Sequence, residues 1–352
     1  MERLDLRGLT EEEIGDVCRE LGVPRFRASQ LFSWVQAKAV GDWEEVRNIG
    51  KADRGVLQTR LLLRALELRR EQRSADGTRK YLFQLADGET IECVLMDYDR
   101  ITARDRRTVC LSTQVGCPVG CSFCATGQGG LRRNLSPAEI TGQVLDITRL
   151  MRREDPDFRV TNLVFMGMGE PLLNYANVLK AIRILNSQHG QNIGMRRMTI
   201  STSGVVPRIR DLARDNPQIG LAVSLHAATD EARDALVPMN RRYPLRELMM
   251  ACREYTELTH RRVTFEVALI SGQCSREMAG AMAQLLAGQL AHVNLIPVNP
   301  VMGTGMERPS LGELQDFAGV LERAGIPVSI REERGTDIDA ACGQLRRREE
   351  EN

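Results

Sequence analysis

The stretch Cys117-Pro-Val-Gly-Cys121-Ser-Phe-Cys124 places three cysteines within eight residues, with the spacing CxxxCxxC. It follows an apolar run, residues 108–113, that is predicted to be a β-strand. The loop is short and contains glycine, so three thiolates can converge on one point. Such clustering needs a chemical reason, because buried cysteines rarely collect in this way by chance.

The number of thiols limits which metal this loop can bind. A structural zinc site normally has four protein ligands, and no neighbouring Cys or His supplies an obvious fourth. Three thiolates instead suit a 4Fe–4S cluster whose remaining iron is open to another ligand. The loop therefore predicts an iron–sulfur site.

Around this loop, strand-like and helix-like segments alternate. One predicted helix begins at Ser136-Pro137-Ala-Glu139, a capping box with proline at the first helical position. The alternation extends over about 230 residues and predicts an α/β fold with a parallel sheet, closed or partly closed into a barrel. The chemistry of such folds lies at the carboxyl ends of the strands. The predicted strands are residues 108–113, 161–166, 198–201, 220–225, 262–269, 292–297 and 327–331.

The first hundred residues have a different pattern. A capping box formed by Thr10 and Glu13 opens a predicted helix over 11–21, and a second helix is predicted over 27–39. Two hairpin-type turns, Asp76-Gly77 and Asp87-Gly88, then separate three strand-like runs. We divide the chain into a helical domain (1–60), a hairpin and strand linker (61–102), the barrel (103–338) and a C-terminal segment with a charged tail (339–352).

Composition excludes several classes of protein. Apolar residues make up 42% and charged residues 27% of the 352 residues, ordinary values for a folded enzyme. We expect no membrane span and no secretory signal, hence a cytoplasmic protein whose nine cysteines do not form a disulfide framework. Arginine outnumbers lysine 44 to 4. This bias suits phosphate contacts but also follows from genome composition, so it leaves nucleic-acid binding open.

The cysteine loop resembles that of the radical S-adenosylmethionine (SAM) superfamily, including the aromatic Phe123 between the last two cysteines. The resemblance implies that Cys117, Cys121 and Cys124 hold a 4Fe–4S cluster and that SAM binds its open iron. An electron from the cluster then cleaves SAM to methionine and a 5′-deoxyadenosyl radical. The implied fold is a radical SAM partial (β/α) barrel with a small N-terminal helical domain and a β-hairpin extension.

Further strand ends resemble the SAM-binding motifs of that superfamily. Gly167-Met-Gly169-Glu170-Pro171 is similar to the motif that binds the amino group of SAM. Ser203 lies two residues from Ser201 on the same strand face, and a histidine at position 226 is also typical of a packing residue, so alternatives remain at both places. The SAM contacts implied by the resemblance are Gly169, Glu170, Ser201, Ser224, Leu225, His226 and Asn299.

Two more cysteines point to one family within this superfamily. The segments Thr108-Val-Cys110-Leu-Ser-Thr-Gln-Val-Gly-Cys117 and Gly335-Thr-Asp-Ile-Asp-Ala-Ala-Cys342-Gly-Gln-Leu345 closely resemble the RlmN family. The resemblance covers nearly the whole chain. It implies a methyltransferase that acts on C2 of adenine in 23S rRNA and tRNA and consumes two SAM per turnover, with the helical domain as an RNA-binding accessory.

The resemblance also implies a role for each reacting residue. Cys342 carries the methyl group, Cys110 resolves a covalent protein–RNA adduct through a transient disulfide, and Glu92 removes the C2 proton. The implied partners are 23S rRNA, tRNA and an electron donor such as flavodoxin or ferredoxin with its reductase, and the enzyme is expected to be a monomer. Glu92 is the weakest of these assignments, because the charged segment 97–107 is long enough to shift it, and it could also be a solvated strand residue.

Two alternative functions remain open at this point. The related adenine C8-methyltransferases share the cysteines and the use of two SAM, although the N-terminal helical domain favours the C2 enzymes. A cysteine-ligated metal-binding protein that recognises RNA without catalysis is the alternative from another class. That alternative leaves Cys110 and Cys342 without a role.

Overall fold

The computed structural model describes residues 3–98, 106–299, 305–332 and 334–345. Its first unit is helical, as predicted, and the Thr10–Glu13 capping box is present, with the Glu13 amide donating to Thr10 Oγ1 at 3.2 Å. The second helix is α-helical only to Phe32 and continues as a π-helix over Ser33–Ala37, where we predicted one α-helix to residue 39. The elements of this unit are β1 (Leu4–Asp5), α1 (Glu11–Glu20), α2 (Phe26–Phe32), α3 (Lys51–Gln58) and β2 (Leu61–Leu62).

An antiparallel extension of three strands follows: β3 (Glu67–Arg73), β4 (Arg79–Gln84) and β5 (Thr90–Tyr98). The two predicted hairpin turns connect these strands, which confirms the β-hairpin extension. β5 pairs with the next strand, β6 (Arg106–Cys110), in an unbroken register that places Val94 opposite Cys110 and Tyr98 opposite Arg106. The ends of the long segment 97–107 lie within this pairing, with Asp97 opposite Arg107, and its residues 99–105 lie outside the described part.

The remaining strands build the parallel part of the sheet. Six of the seven strands predicted for it match to within one residue at each end, while the first is residues 106–110 and not 108–113. A separate hairpin, β7 (Gln114–Gly116) with β8 (Leu131–Asn134), closes the base of the cysteine loop. The later strands are β9 (Asn162–Phe165), β10 (Met198–Thr202), β11 (Gly220–Ser224), β12 (Val263–Leu269), β13 (Ala291–Pro297) and β14 (Val328–Ile330).

The ten-stranded sheet runs in the order β14-β13-β12-β11-β10-β9-β6-β5-β4-β3. Its seven parallel strands are adjacent, and within the described residues β14 and β3 are edges that do not pair with each other. The sheet is therefore an open, partial barrel, as expected. The helices packed around it are α4 (Ala125–Gln128), α5 (Pro137–Met151), α6 (Tyr175–Asn186), α7 (Val206–Asp215), α8 (Asp230–Leu236), α9 (Leu245–Thr259), α10 (Arg276–Leu285) and α11 (Leu311–Arg323).

The N-terminal unit is packed onto this barrel. Its apolar side chains form a cluster of their own that includes Leu145 of α5 and Ile184 of α6. A buried ion pair, Arg7 Nη1 to Asp146 Oδ2 at 3.2 Å, joins the two parts. In the part of the chain that the structure describes, none of the helices is long and apolar enough to cross a membrane.

Candidate active site

Two adjoining cavities open at the carboxyl ends of the parallel strands, with volumes of about 160 and 90 Å³. Both are lined by Cys124, Asn299, Arg331 and Cys342, so they share a wall. Of the thirteen residues that the sequence assigns to the site, ten line the larger cavity, and Cys110 lines the smaller one. Glu92 and Leu225 line neither. The ten are Cys117, Cys121, Cys124, Gly169, Glu170, Ser201, Ser224, His226, Asn299 and Cys342.

The cysteine loop supplies one side of the larger cavity. Cys117 Sγ accepts hydrogen bonds from the backbone N–H groups of Val119 and Gly120. Burial nevertheless raises the pKa of the Cys117 thiol to about 12. Burial also raises the pKa of Cys121, and the nearby thiols of Cys124 and Cys117 add to this effect. The raised pKa values of Cys117 and Cys121 mean that these two thiols become thiolates only beside a compensating positive charge, which iron supplies.

The donor set of this loop fits a 4Fe–4S cluster. Among the described residues, no three His, Cys, Asp or Glu side chains are grouped like the ligands of a single metal ion. A cluster is larger than one ion, so its ligands must lie further apart around an open space. The thiols of Cys117, Cys121 and Cys124 line such a space, and the N–H groups directed at Cys117 Sγ are the kind of contact that stabilises cluster sulfurs.

Glu170 lies across the larger cavity and is 3% exposed. Its Oε2 accepts from the Ser203 amide at 2.7 Å and from Ser203 Oγ at 2.8 Å, and its Oε1 accepts from the Leu172 amide at 3.1 Å. Burial raises the pKa of the Glu170 carboxyl, while the Ser203 hydrogen bonds oppose that rise. Ser201 and Ser203 both line the cavity, and Ser203 also orients the carboxylate of Glu170.

The residue before Glu170 must be glycine for two reasons, its backbone conformation and its close approach to Gln114. Its φ is +102°, and a Cβ there would lie 2.6 Å from Gln114 Cβ. The close approach lets the Glu170 amide donate to Gln114 Oε1 at 2.8 Å. Glu170 and the cysteine loop are therefore held together through Gln114, the first residue of β7.

His226 is both a packing residue and a cavity residue. Its Nδ1 accepts from the Ala268 amide at 2.9 Å, and its ring meets Phe123 edge-on, with 4.6 Å between centroids. Burial, reinforced by Arg233, lowers its pKa to about 3, so the ring is neutral at physiological pH. Since Nδ1 accepts, the proton is on Nε2, which can donate a hydrogen bond.

Arg233 connects the strand ends, and it belongs to no motif that could have identified it. Its side chain is fully buried, and its guanidinium donates to the carbonyl oxygens of Ser203 (2.7 Å), Ser224 (2.9 Å) and Leu225 (3.0 Å). Leu225 itself is buried in the core and contributes this carbonyl. An arginine on an amphipathic helix usually faces solvent, so only the folded arrangement reveals its role.

The two lone cysteines lie close enough to influence each other. Burial raises the pKa of Cys110 to about 12, and Cys342 adds to the rise while Arg331 opposes it. The interaction with Cys342 is in turn the first cause of a raised pKa at Arg331. Both cysteines are in the reduced form. Arg331, which follows β14 and was not predicted, thus places a cation beside both.

The C-terminal segment carries Cys342 back to the cysteine loop. The Ala125 amide donates to the Gly343 carbonyl at 2.8 Å, and Thr126 Oγ1 donates to the Leu345 carbonyl. Asn299 Nδ2 donates to the Cys342 carbonyl at 3.4 Å. The segment is therefore anchored on the first residues of α4, directly after Cys124.

Glu92 lies beside the cavities and not in their lining. It shares a strand face with Val94, which lines the smaller cavity, but its side chain is 1% exposed and contacts Lys80, Nζ to Oε1, at 3.3 Å. Its carbonyl oxygen accepts from Ser112 Oγ at 2.6 Å. Glu92 is therefore a buried, charge-paired residue and not a solvated one. Its ion-pair partner Lys80 carried no motif that could have identified it.

Known proteins match this arrangement. Residues 111–285 match the family model of the radical SAM superfamily, and residues 4–63 match that of the ribosomal RNA large subunit methyltransferase N-terminal domain. The crystal structure of a radical SAM methyltransferase from Sphaerobacter thermophilus is similar with a TM-score of 0.92 and 48% identity, covering 97% of this chain and 99% of that one. Fold and site thus define a radical SAM methyltransferase, an enzyme that uses a 4Fe–4S cluster and SAM.

Curated relatives narrow this class to one family. A probable dual-specificity RNA methyltransferase RlmN from Desulfitobacterium hafniense is 69% identical over 347 residues, 99% of this chain and 97% of the relative. A protein of the same name from Heliobacterium modesticaldum is 52% identical over 343 residues, 97% of this chain and 89% of the relative. The chain belongs to the RlmN family.

Proposed function

We propose that this enzyme methylates C2 of adenosine in 23S rRNA and tRNA, using Cys342 as the methyl carrier and Cys110 as the resolving thiol. The observation that carries the proposal is that both thiols line one cavity, and that Cys342 also lines the neighbouring cavity with the three cysteines of the loop. A carrier must reach the site of SAM as well as the resolving thiol. Among the described cysteines outside the loop, Cys342 alone lines both cavities.

The chemistry of the target explains why a carrier is needed. Carbon 2 of adenine is electron-poor, so it cannot displace the methyl group of SAM directly. When bound, the cluster and SAM supply a 5′-deoxyadenosyl radical, which is the hard part of the chemistry. The chain's own residues do the rest: Glu170, Ser203 and His226 line the cavity in which the methionine end of SAM is expected, and Cys342 presents the carbon.

Release of the product is assigned to Cys110. Its thiolate attacks Cys342 Sγ, a sulfur–sulfur bond forms, and the carbon–sulfur bond of the adduct breaks. The electron pair of that bond leaves with the carbon, which takes a proton and becomes the methyl group. The resulting disulfide is reduced by a cellular dithiol before the next turnover. Glu92 is proposed to take the proton that leaves carbon 2.

The alternatives are less well supported by the same observations. Adenine C8 methylation would use the same thiols, but the match of residues 4–63 to the N-terminal domain of ribosomal RNA large subunit methyltransferases favours the C2 reaction. A non-catalytic metal-binding protein has no use for two thiols beside the Arg331 cation. We further propose that the enzyme acts as a monomer in the cytoplasm and takes its electrons from reduced flavodoxin or ferredoxin with its reductase.

Nucleoside mass spectrometry tests the proposal. Purified 23S rRNA and tRNA from a strain lacking the gene should have lost 2-methyladenosine, and expression of the parent enzyme should restore it. The Cys342→Ala enzyme, expressed at the same level, is the control and should restore nothing. Loss of 8-methyladenosine in place of 2-methyladenosine would establish the C8 reaction instead. An unchanged nucleoside profile would refute both.

A further inference from the structure

Lys80 joins two parts of the proposed machinery. It lies on β4 next to Glu92 on β5, and the two side chains are 2% and 1% exposed. Its Nζ lies 3.3 Å from Glu92 Oε1 and also donates to the Asp339 carbonyl at 3.0 Å. Asp339 is three residues before the carrier Cys342. One ammonium group therefore contacts both the proposed base and the segment that carries the methyl group.

The physical role of this contact follows from its burial. A carboxylate removed from water is strongly destabilised unless a cation and hydrogen bonds compensate it. An ammonium is compact and has three donors, so it can serve a carboxylate and a carbonyl at the same point. The chain contains only four lysines beside 44 arginines, and one of them occupies this position.

The β3–β4 hairpin, which carries Lys80, also holds the residues that lead into the C-terminal segment. In the turn between β3 and β4, Asp76 Oδ2 accepts from the Gly335 amide at 2.9 Å, and the Ala75 amide donates to Asp337 Oδ2 at 3.3 Å. The turn thus fixes Gly335 and Asp337, just before the segment, and Lys80 fixes Asp339 at its start. Its end is fixed on α4, as described above, so Cys342 lies between two anchors.

We propose that Lys80 is a positioning residue that holds Glu92 and the carrier segment in fixed relation to each other. The proposal rests on the function proposed above, in which Glu92 takes the C2 proton from an adenine bonded to the carbon on Cys342. Proton transfer requires the base within hydrogen-bond reach of the proton. Because Lys80 contacts both Glu92 and the Asp339 carbonyl, it sets the distance between the base and the carrier segment before the RNA binds.

The test is Lys80→Met in the reconstituted full-length enzyme, with RNA as substrate. Methylation of Cys342 and formation of 5′-deoxyadenosine should persist, because neither step uses Glu92 and because the turn and α4 still anchor the chain on both sides of Cys342. Release of 2-methyladenosine should fall by on the order of 100-fold or more, the usual contribution of a general base. The covalent protein–RNA adduct should accumulate, as it should in Glu92→Gln. Lys80→Arg should recover part of the product, and Lys180→Met, a control at an ion pair on the protein surface, should behave like the parent.

A double variant separates positioning from simple charge balance. Lys80→Met/Glu92→Gln removes both charges, so it should recover the thermal stability that Lys80→Met loses while remaining as inactive as Glu92→Gln. Product release at the parent rate by the double variant, or by Lys80→Met itself, would overturn the proposal. Loss of Cys342 methylation in Lys80→Met would also overturn the proposal, because Lys80 would then be needed for a step that precedes proton removal by Glu92. If the parent enzyme makes no 2-methyladenosine, the proposed function fails first.

Discussion

The backbone amide of Ala125 donates to the carbonyl oxygen of Gly343 at 2.8 Å. This bond joins the residue after the last cysteine of the loop to the residue after the proposed carrier. Binding of the cluster to the loop and docking of the carrier segment are therefore coupled. Whatever orders the cysteine loop also orders the segment that contains Cys342.

Gly343 should be required for docking of the carrier segment. Its φ is +85°, and a Cβ would lie 3.3 Å from the Phe123 carbonyl oxygen. Gly343→Ala adds about 1–2 kcal/mol of left-handed strain, so amide exchange over residues 335–345 should quicken about tenfold and RNA methylation should fall. Hydrogen exchange with mass spectrometry measures the first effect. Gly280→Ala in α10, where nothing lies within 4 Å, is the control; exchange equal to the parent in Gly343→Ala would contradict the prediction.

Each cysteine of the loop should be required for the cluster. Cys121→Ala leaves two protein thiolates, too few to hold a cluster with one open iron, so iron content and the visible thiolate-to-iron absorbance should be lost after anaerobic reconstitution. Cys274→Ala is the control, because that thiol bonds the Ile270 carbonyl and lines neither cavity. Formation of 5′-deoxyadenosine by Cys121→Ala at the parent rate would disprove the assignment.

Thiol reactivity should report the charge beside Cys110. With its pKa raised to about 12, the thiolate fraction of Cys110 rises about tenfold per pH unit and does not level off near pH 8.5. Alkylation by iodoacetamide, followed by mass spectrometry of the Cys110 peptide, should therefore accelerate steadily between pH 7 and 9. Because Arg331 lowers the pKa of Cys110, Arg331→Gln should slow alkylation at every pH. The control is Arg334→Gln, which should not slow it, because the Arg334 guanidinium stacks on Tyr98. A plateau near pH 8.5 would exclude the shift.

RNA binding should depend on an exposed pair in the N-terminal unit. Arg25 is exposed and Phe26 is 59% exposed, whereas Arg27 is already engaged with Asp53 at 2.9 Å. Phe26→Ala should weaken binding by about 1–3 kcal/mol if a base stacks there, and Arg25→Ala should reduce the salt dependence. Fluorescence anisotropy with a labelled RNA hairpin at several salt concentrations measures both. Leu258→Ala, also at 59% exposure, is the matched control; affinity that does not change with salt would contradict the prediction.

Local sequence signals predicted the elements well. The capping boxes at Thr10 and Ser136 and the turns at Asp76-Gly77 and Asp87-Gly88 depend on neighbouring residues alone, and the structure contains all four. The alternation of strand and helix patterns also predicted the parallel sheet and the ranges of its strands. The π-helix after Phe32 escaped prediction, because a helical pattern does not distinguish a π-turn from an α-turn.

In the candidate site, the residues that belong to sequence motifs were predicted, and those that act through tertiary contacts were not. Motifs located the cysteine loop and the strand-end residues, and all of these except Leu225 line one cavity. Lys80, Arg233 and Arg331 carry no motif, and each acts through partners far away in the sequence. Their importance comes from the contacts they make in the folded chain, which no signal at a single residue reveals in a sequence with 44 arginines.

The covalent intermediate tests the central claim most directly. The Cys110→Ala and Cys342→Ala enzymes should be purified from cells and run on denaturing gels under reducing conditions, before and after ribonuclease treatment. The account predicts a shifted, nuclease-sensitive band in Cys110→Ala only, because a carbon–sulfur link survives denaturants and thiols while its resolving thiol is missing. Equal adduct in both variants, or full RNA methylation by either, would contradict the roles assigned to these two cysteines.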